Sequence, residues 1–197
     1  MKGIIIIAVG NKNSGLGRTY AYFANNLIKS IRNTNAGIPI QLLHDNDTIK
    51  DIDVDIEYKT NVHGLSYRKY KFEPAELKLQ LNKLSVFDET IFLDVDAVVL
   101  KDLNELFVDC SNSEFTTQTN GYMSLTEGQK NMLWCKADYL FEKYNLSEDA
   151  IVPATNTSFI YWKRGVVTDS KLETAYQLYN DNPVPIKDLY MKWGRSS

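Results

Sequence analysis

Six consecutive apolar residues near the amino terminus, Ile4-Ile5-Ile6-Ile7-Ala8-Val9, constrain the fold more than any other segment. A strand built from them has no polar face, so it must be covered on both sides. That is the situation of a central parallel strand between helices. The run is too short for a signal-peptide core and far too short to span a bilayer. A polar, glycine-bearing stretch follows from Gly10 to Gly17. Leu16, Tyr20, Phe23, Ala24, Leu27, Ile28 and Ile31 then recur at three- and four-residue steps, which predicts a helix over about 18–32. Ile38 to Leu43 supplies the next apolar strand, so the chain opens β-α-β.

The alternation continues. Val54, Ile56 and Tyr58 alternate with charged residues as a half-exposed strand does, and His63 to Phe72 lacks periodicity and reads as a loop. Pro74 suits the first turn of a helix whose buried stripe is Leu77, Leu81 and Leu84. A strand over Thr90 to Leu93, a short helix over Asp102 to Phe107, and a longer helix marked by Leu133, Ala137, Leu140, Phe141 and Tyr144 come next. Ser158 to Trp162 is a late strand, and Leu172, Ala175, Tyr176 and Tyr179 mark a late helix. The pattern predicts one α/β domain over residues 1–197, with a mixed, mostly parallel sheet flanked by helices. With 197 residues, 44% of them hydrophobic, the chain can bury one sizeable core. The net charge of −3 comes without a basic stripe, so no nucleic-acid partner is expected. Cys110 and Cys135 match no zinc or CxxC spacing and read as reduced packing residues. The expectation is a soluble, cytoplasmic protein without a transmembrane segment. Its oligomeric state is not legible.

In open α/β sheets ligands bind beyond the carboxyl ends of the strands. The ends to inspect are Ala8 to Asn11, Leu43 to Asp45, Asp94 to Asp96 and the region of Asn156. The third stands out, because the apolar run Ile91-Phe92-Leu93 delivers two carboxylates, Asp94 and Asp96, to one place. If the strand stays extended they share a face and Val95 points the other way. Two anions side by side are costly without a cation between them, and a divalent metal is the simplest one. Asp45-Asn46-Asp47, Asp51-Ile52-Asp53 and Asp53-Val54-Asp55 repeat the spacing without that context and read as ordinary surface carboxylates.

Lys78-Leu79, Leu84, Phe87, the run from Phe92 to Leu100 and Asp102-Leu103-Asn104-Glu105-Leu106-Phe107 together resemble the signature of GT-A glycosyltransferases. The similarity is greatest to glycosyltransferase family 8, which includes glycogenin and bacterial galactosyl- and glucosyltransferases. Tyr20 and Ser30 resemble that family's amino-terminal helix, and Thr155 to Tyr161 its "FNSGVMLF" strand entry, with Ser158 where glycine is usual. The resemblance covers roughly Ile4 to Trp162 and implies a single GT-A, Rossmann-like domain. It implies transfer of a hexose, with retention of anomeric configuration, from a nucleotide-diphosphate sugar, UDP-hexose by analogy, to an unknown acceptor.

The resemblance also assigns roles. Asp96 and Asp94 would hold Mn²⁺ or Mg²⁺, with Asp94 sharing the metal or holding the ribose. Lys78 would place a positive charge by the diphosphate. Ala8, Val9, Asn11, Tyr20 and Val95 would line the nucleotide, and Asn156 would approach the donor sugar. One departure matters: the family takes a third metal ligand from a late histidine, whereas the two histidines here, His44 and His63, are both early. A truncated or minimal chain, a metal completed by water and phosphate oxygens, and impaired catalysis all remain open.

Two other readings compete. The first is a GT-A-fold protein that binds nucleotide sugar, or serves structurally, without turnover. The second is a haloacid-dehalogenase-like phosphatase, in which the first aspartate of such a motif attacks phosphorus. There the motif normally opens the fold and is followed by Gly-Thr, whereas here it lies far into the chain before Ala97-Val98. The segment from Gly10 to Thr19 lacks the Gly-Lys-Ser/Thr ending of a phosphate loop. Tyr122, Trp134, Trp162 and Trp193 are assigned no acceptor role, since such rings are more often core. Asp188 is not expected to act.

Overall fold

The computed structural model describes residues 1–9, 20–44, 52–59, 77–125, 141–142, 144–147 and 149–181. Six strands form one sheet: β1 (Lys2–Ala8), β2 (Ile40–His44), β3 (Ile56–Lys59), β4 (Glu89–Leu93), β5 (Phe115–Ser124) and β6 (Ile151–Lys163), in the order β3-β2-β1-β4-β6-β5. The first four are parallel, and β6 lies antiparallel between β4 and β5. The expected mixed sheet is therefore present, with β1 central.

Period-two alternation sends the residues of β1 to two cores. Ile4, Ile6 and Ala8 join one, and Ile5, Ile7 and Val9 join the other with Leu81, Phe92, Ile160 and Trp162. Helix α1 (Tyr20–Thr34) covers the first face with Ala24, Leu27, Ile28 and Ile31, each at most 1% exposed. Burying each Leu or Ile contributes about 1.5–3 kcal/mol, so packing rather than intrinsic propensity holds the helix. Beyond its end, the Asn35 side chain accepts the Leu103 N–H at 2.8 Å. Asp102 accepts the Asn104 N–H at 2.9 Å, and the two together start helix α3 (Leu103–Asp109), which buries Leu103 and Phe107.

On the other face the helix expected from Pro74 onward is interrupted. A helical turn at 77–78 gives way to a turn at 79–80, and α2 (Leu81–Leu84) begins after Gln80, whose N–H bonds the Leu77 carbonyl. The apolar stripe survives: Leu81 is buried, and Leu77 and Leu84 pack against the same core. The following turn is fixed by satisfied buried polar groups. Gln41 donates to the Leu84 carbonyl at 2.8 Å and accepts the Val86 N–H at 3.1 Å, while the Ser85 and Thr90 hydroxyls pair at 2.8 Å. Phe87, fully buried, lies over Gly3, where an added Cβ would come within 2.5 Å of three ring atoms. These contacts aim β4, and hence Asp94.

Asp53 and Asp55 are surface carboxylates as expected, and both are paired: Arg32 reaches Asp53 at 3.1 Å and Asp55 at 2.7 Å, and Asp55 also accepts the Ile40 N–H at 2.8 Å. Burial pushes the Asp55 carboxyl up, but these bonds and the Arg32 charge outweigh it and hold the group below its usual range. Strand β5, for which the sequence shows no apolar alternation, pairs along β6 and extends that strand to Ile151. Helix α4 (Val166–Asp181) matches the late helix, tied to α2 by the Lys83–Glu173 ion pair. Of the helix expected over 133–144, residues 141, 142 and 144 are helical and most of the rest lies outside the described residues, as do Asn11, His63, Cys135 and Asp188. Cys110 is a buried free thiol.

Candidate functional site

From β1 the chain steps outward to β2 and β3, then returns to β4 on the opposite side of β1. Such a reversal opens a crevice beyond the carboxyl ends of the two strands flanking it. Ile6 lies opposite Leu93, so Ala8 and Val9 reach the level of the residues that follow β4. Both residues are almost wholly buried, backbone included, at 1% and 2% exposed. Tyr20 opens α1, on the return from the same end of β1, and packs at the margin of the α1-side core.

Asp94 to Ala97 is a turn and not the extended segment expected. The Ala97 N–H bonds the Asp94 carbonyl at 2.9 Å, placing Val95 and Asp96 at the turn's two central positions. Sorting to opposite sides nevertheless persists. Val95, 8% exposed, is buried in the α1-side core. Asp94 meets Lys78 from the α2 side, with Nζ 2.5 Å from Oδ1 and 5.2 Å from the Phe92 ring centroid. Asp96 is exposed at the tip. Beyond the turn, the Ser30 hydroxyl accepts the Val99 N–H at 2.9 Å while donating to the Leu27 carbonyl, so α1 holds this strandless segment in place.

The electrostatics are those of an unfinished site. Burial pushes the Asp94 carboxyl above its usual range. The hydrogen bond and charge of Lys78 pull it back without cancelling the rise, and the charge of Asp96 adds to it. Among the described residues no third His, Cys, Asp or Glu completes a metal-binding group.

Asn156 belongs to the same corner through the backbone. Between the pairs Thr117–Ile160 and Gln118–Asn156, β6 carries the extra residues Thr157, Ser158 and Phe159. The Ser158 carbonyl accepts the Asp94 N–H at 2.9 Å, so this bulge holds the acidic turn. The Asn156 side-chain oxygen accepts the Ser158 N–H at 2.9 Å and closes the bulge from within. Thr117 was missed by sequence reasoning, yet its hydroxyl lies 2.9 Å from both the Asn156 and Phe159 carbonyls, bridging the bulge's rims. No sequence signal distinguishes it from the neighbouring threonines.

Residues 1–119 match the model of the family described as "Mannosyltransferase putative", which is more than half of the chain. The chain belongs to this mannosyltransferase family. Solved glycosyltransferase structures share its architecture. Mouse xyloside xylosyltransferase 1 superposes with a TM-score of 0.56 at 11% identity, covering 94% of this chain and 77% of that one. The bifunctional glycosyltransferase WbbM gives 0.51 at 16% identity over 90% of this chain and 34% of its own. An active-site mutant of LgtC gives 0.51 at 13% identity over 92% and 65%. At these identities the likeness shows the fold, which is the GT-A fold. The resemblance to family 8 is consistent with the likeness to LgtC. The chain spans about a third of the WbbM chain and just under two thirds of the LgtC chain. A search of the curated proteins found no match.

Proposed function

We propose that this mannosyltransferase-family chain transfers a hexose from a nucleotide-diphosphate sugar to a hydroxyl-bearing acceptor, with retention, at the crevice between the ends of β1 and β4. The observation that carries the reading is the Asp94–Ala97 turn at the sheet's switch point, with two neighbouring carboxylates of which Asp94 is paired with Lys78. Reaction breaks the bond between the anomeric carbon and the diphosphate oxygen, whose electron pair stays with the diphosphate. The acceptor hydroxyl oxygen forms the new bond, and its proton passes to the leaving diphosphate. Stabilising the charge on that leaving group is the main catalytic task.

The donor set suits a hard divalent cation. Asp94 is held partly buried beside a second anion, and Lys78 does not fully compensate, so a further cation would lower the electrostatic cost. Mn²⁺ or Mg²⁺ retains water and binds through one or two carboxylates plus phosphate oxygens, so two carboxylates are enough protein ligands. Asp96, exposed, would bind it most directly, with Asp94 alongside. When bound, the metal would supply positive charge to the diphosphate. Lys78 adds a fixed charge at the same place, and the Asn156–Ser158 bulge positions Asp94 through its backbone. The ends of β1 and Tyr20 would receive the nucleoside, and Asn156 the donor sugar.

The family description points to mannose, and UDP rests on the family 8 resemblance, so the test uses both UDP- and GDP-linked hexoses. Donor hydrolysis or transfer that requires Mn²⁺ or Mg²⁺ is the expected result. Metal-dependent donor binding with no turnover against a broad acceptor panel would favour a binding protein on the same fold. A cytoplasmic setting suits the buried free thiol of Cys110. Among the described residues no helix is long and apolar enough to cross a membrane.

A further inference from the structure

We propose that the β5–β6 ribbon is the acceptor platform and that the acceptor it takes is an uncharged carbohydrate, with Tyr122 as its stacking ring; this rests on the glycosyl-transfer reading above. Antiparallel pairing makes the ribbon overhang the site. Phe159 is the last β6 residue paired with β4, opposite Leu93, and from Ser158 back to Ile151 the strand is paired with β5 alone. The overhang therefore begins at the bulge that bonds the Asp94 N–H and projects past the end of the parallel sheet where the donor would lie.

Its chemistry is unusual for this molecule. Charged residues make up 24% of the chain, yet β5 has none and β6 has none before Lys163. Because β5 is an edge strand, charge would be the ordinary device against stray pairing. Bulges take that role here instead. At the second one, Asn120 and Gly121 on β5 oppose the single residue Ala154 on β6, and Gly121 adopts φ +119°, a conformation that only glycine takes without strain.

What the overhang exposes is uncharged: the hydrogen-bonding Gln118, Thr119, Asn120, Asn156 and Thr157, the apolar Ile151 and Pro153, and Tyr122, which is 76% exposed. An anionic acceptor would call for cations on this surface, and the overhang from Ile151 to Ser158 with its β5 partner residues offers none. A neutral sugar presents hydroxyls that amide and hydroxyl side chains match, and an apolar face that an aromatic ring covers. Tyr161 and Trp162, on β6, are 0% and 1% exposed and belong to the core.

The test measures binding of a panel of neutral oligosaccharides, with phosphorylated and carboxylated counterparts, to the full chain by saturation-transfer NMR and titration. Neutral members should bind. Tyr122→Ala should weaken them about fivefold to tenfold, the scale of one aromatic contact, and Tyr122→Phe should retain them. Gln118→Glu, which adds a charge at an exposed position of β5 outside the bulge, should also weaken them. Preference for the charged counterparts, no binding of neutral members, or affinity indifferent to Tyr122→Ala would overturn the proposal. Nucleotide binding with Mn²⁺, measured in the same proteins, reports separately on the donor site and should be unchanged by the ribbon variants.

Discussion

Replacing Lys78 with methionine removes the cation that faces Asp94 while keeping a stem to pack against Phe92. Exposed ion pairs contribute about 0–1 kcal/mol, and severing a fully buried pair costs about 3–5 kcal/mol. The two side chains here are 23% and 28% exposed, between those limits, so Lys78→Met should destabilise the metal-free protein by about 1–3 kcal/mol at neutral pH. The pH dependence follows from the sign of the Asp94 shift. Its folded value lies above the unfolded one of 3.8, so its contribution to stability is full below 3.8 and is lost as pH rises through the folded value. Removing Lys78 raises the folded value further and enlarges that loss. Parent and variant should be nearly equal in acid and diverge as pH climbs past the parent's folded value. Urea unfolding in chelator at several pH values measures this, and the penalty should vanish in an Asp94→Asn background. A penalty independent of pH, or one that survives Asp94→Asn, would show that Lys78 acts by packing and not by pairing with Asp94.

Gly3→Ala should cost about 1–3 kcal/mol through overpacking against the buried Phe87 ring, and a smaller residue at position 87 should recover part of it in thermal unfolding. Thr117→Val removes the hydroxyl that bridges the Asn156 and Phe159 carbonyls and should cost about 1–2 kcal/mol, with the largest rise in amide exchange at Asp94 and Ser158; uniform loosening of the sheet would contradict the bulge's role as the support of the acidic turn.

Burial patterns explain which parts of the fold the sequence announces. The runs of β1 and β4 and the stripe of α1 are stabilised by apolar burial, and apolar burial writes a period into the sequence. Strand β5 is held at an edge by main-chain pairing through threonine, glutamine and asparagine, whose polarity carries no period, so nothing in Thr116 to Asn120 marks a strand. The Asp94 turn is hidden for the opposite reason. Ala97-Val98-Val99-Leu100 continues the apolar run after the motif, yet these residues follow a turn and are held through Val99 by a hydroxyl from α1. The family resemblance singles out Lys78 as a charge beside the diphosphate, but not as the ion-pair partner of Asp94. Thr117 and the support from Ser158 were not readable, because the groups that the Thr117 hydroxyl bridges, and those that join Ser158 to Asp94, are backbone atoms that every residue possesses. The capping of α3 by Asn35 is equally silent, since it joins residues far apart in sequence.

Binding of UDP and GDP by titration calorimetry, with and without Mn²⁺, in the parent and in Asp96→Ala, tests the central claim most directly. The account predicts nucleotide binding that needs the metal in the parent and is lost in the variant, with the thermal stability of the metal-free proteins alike because Asp96 is an exposed like charge beside Asp94. Metal-dependent binding of equal affinity in both proteins would contradict it.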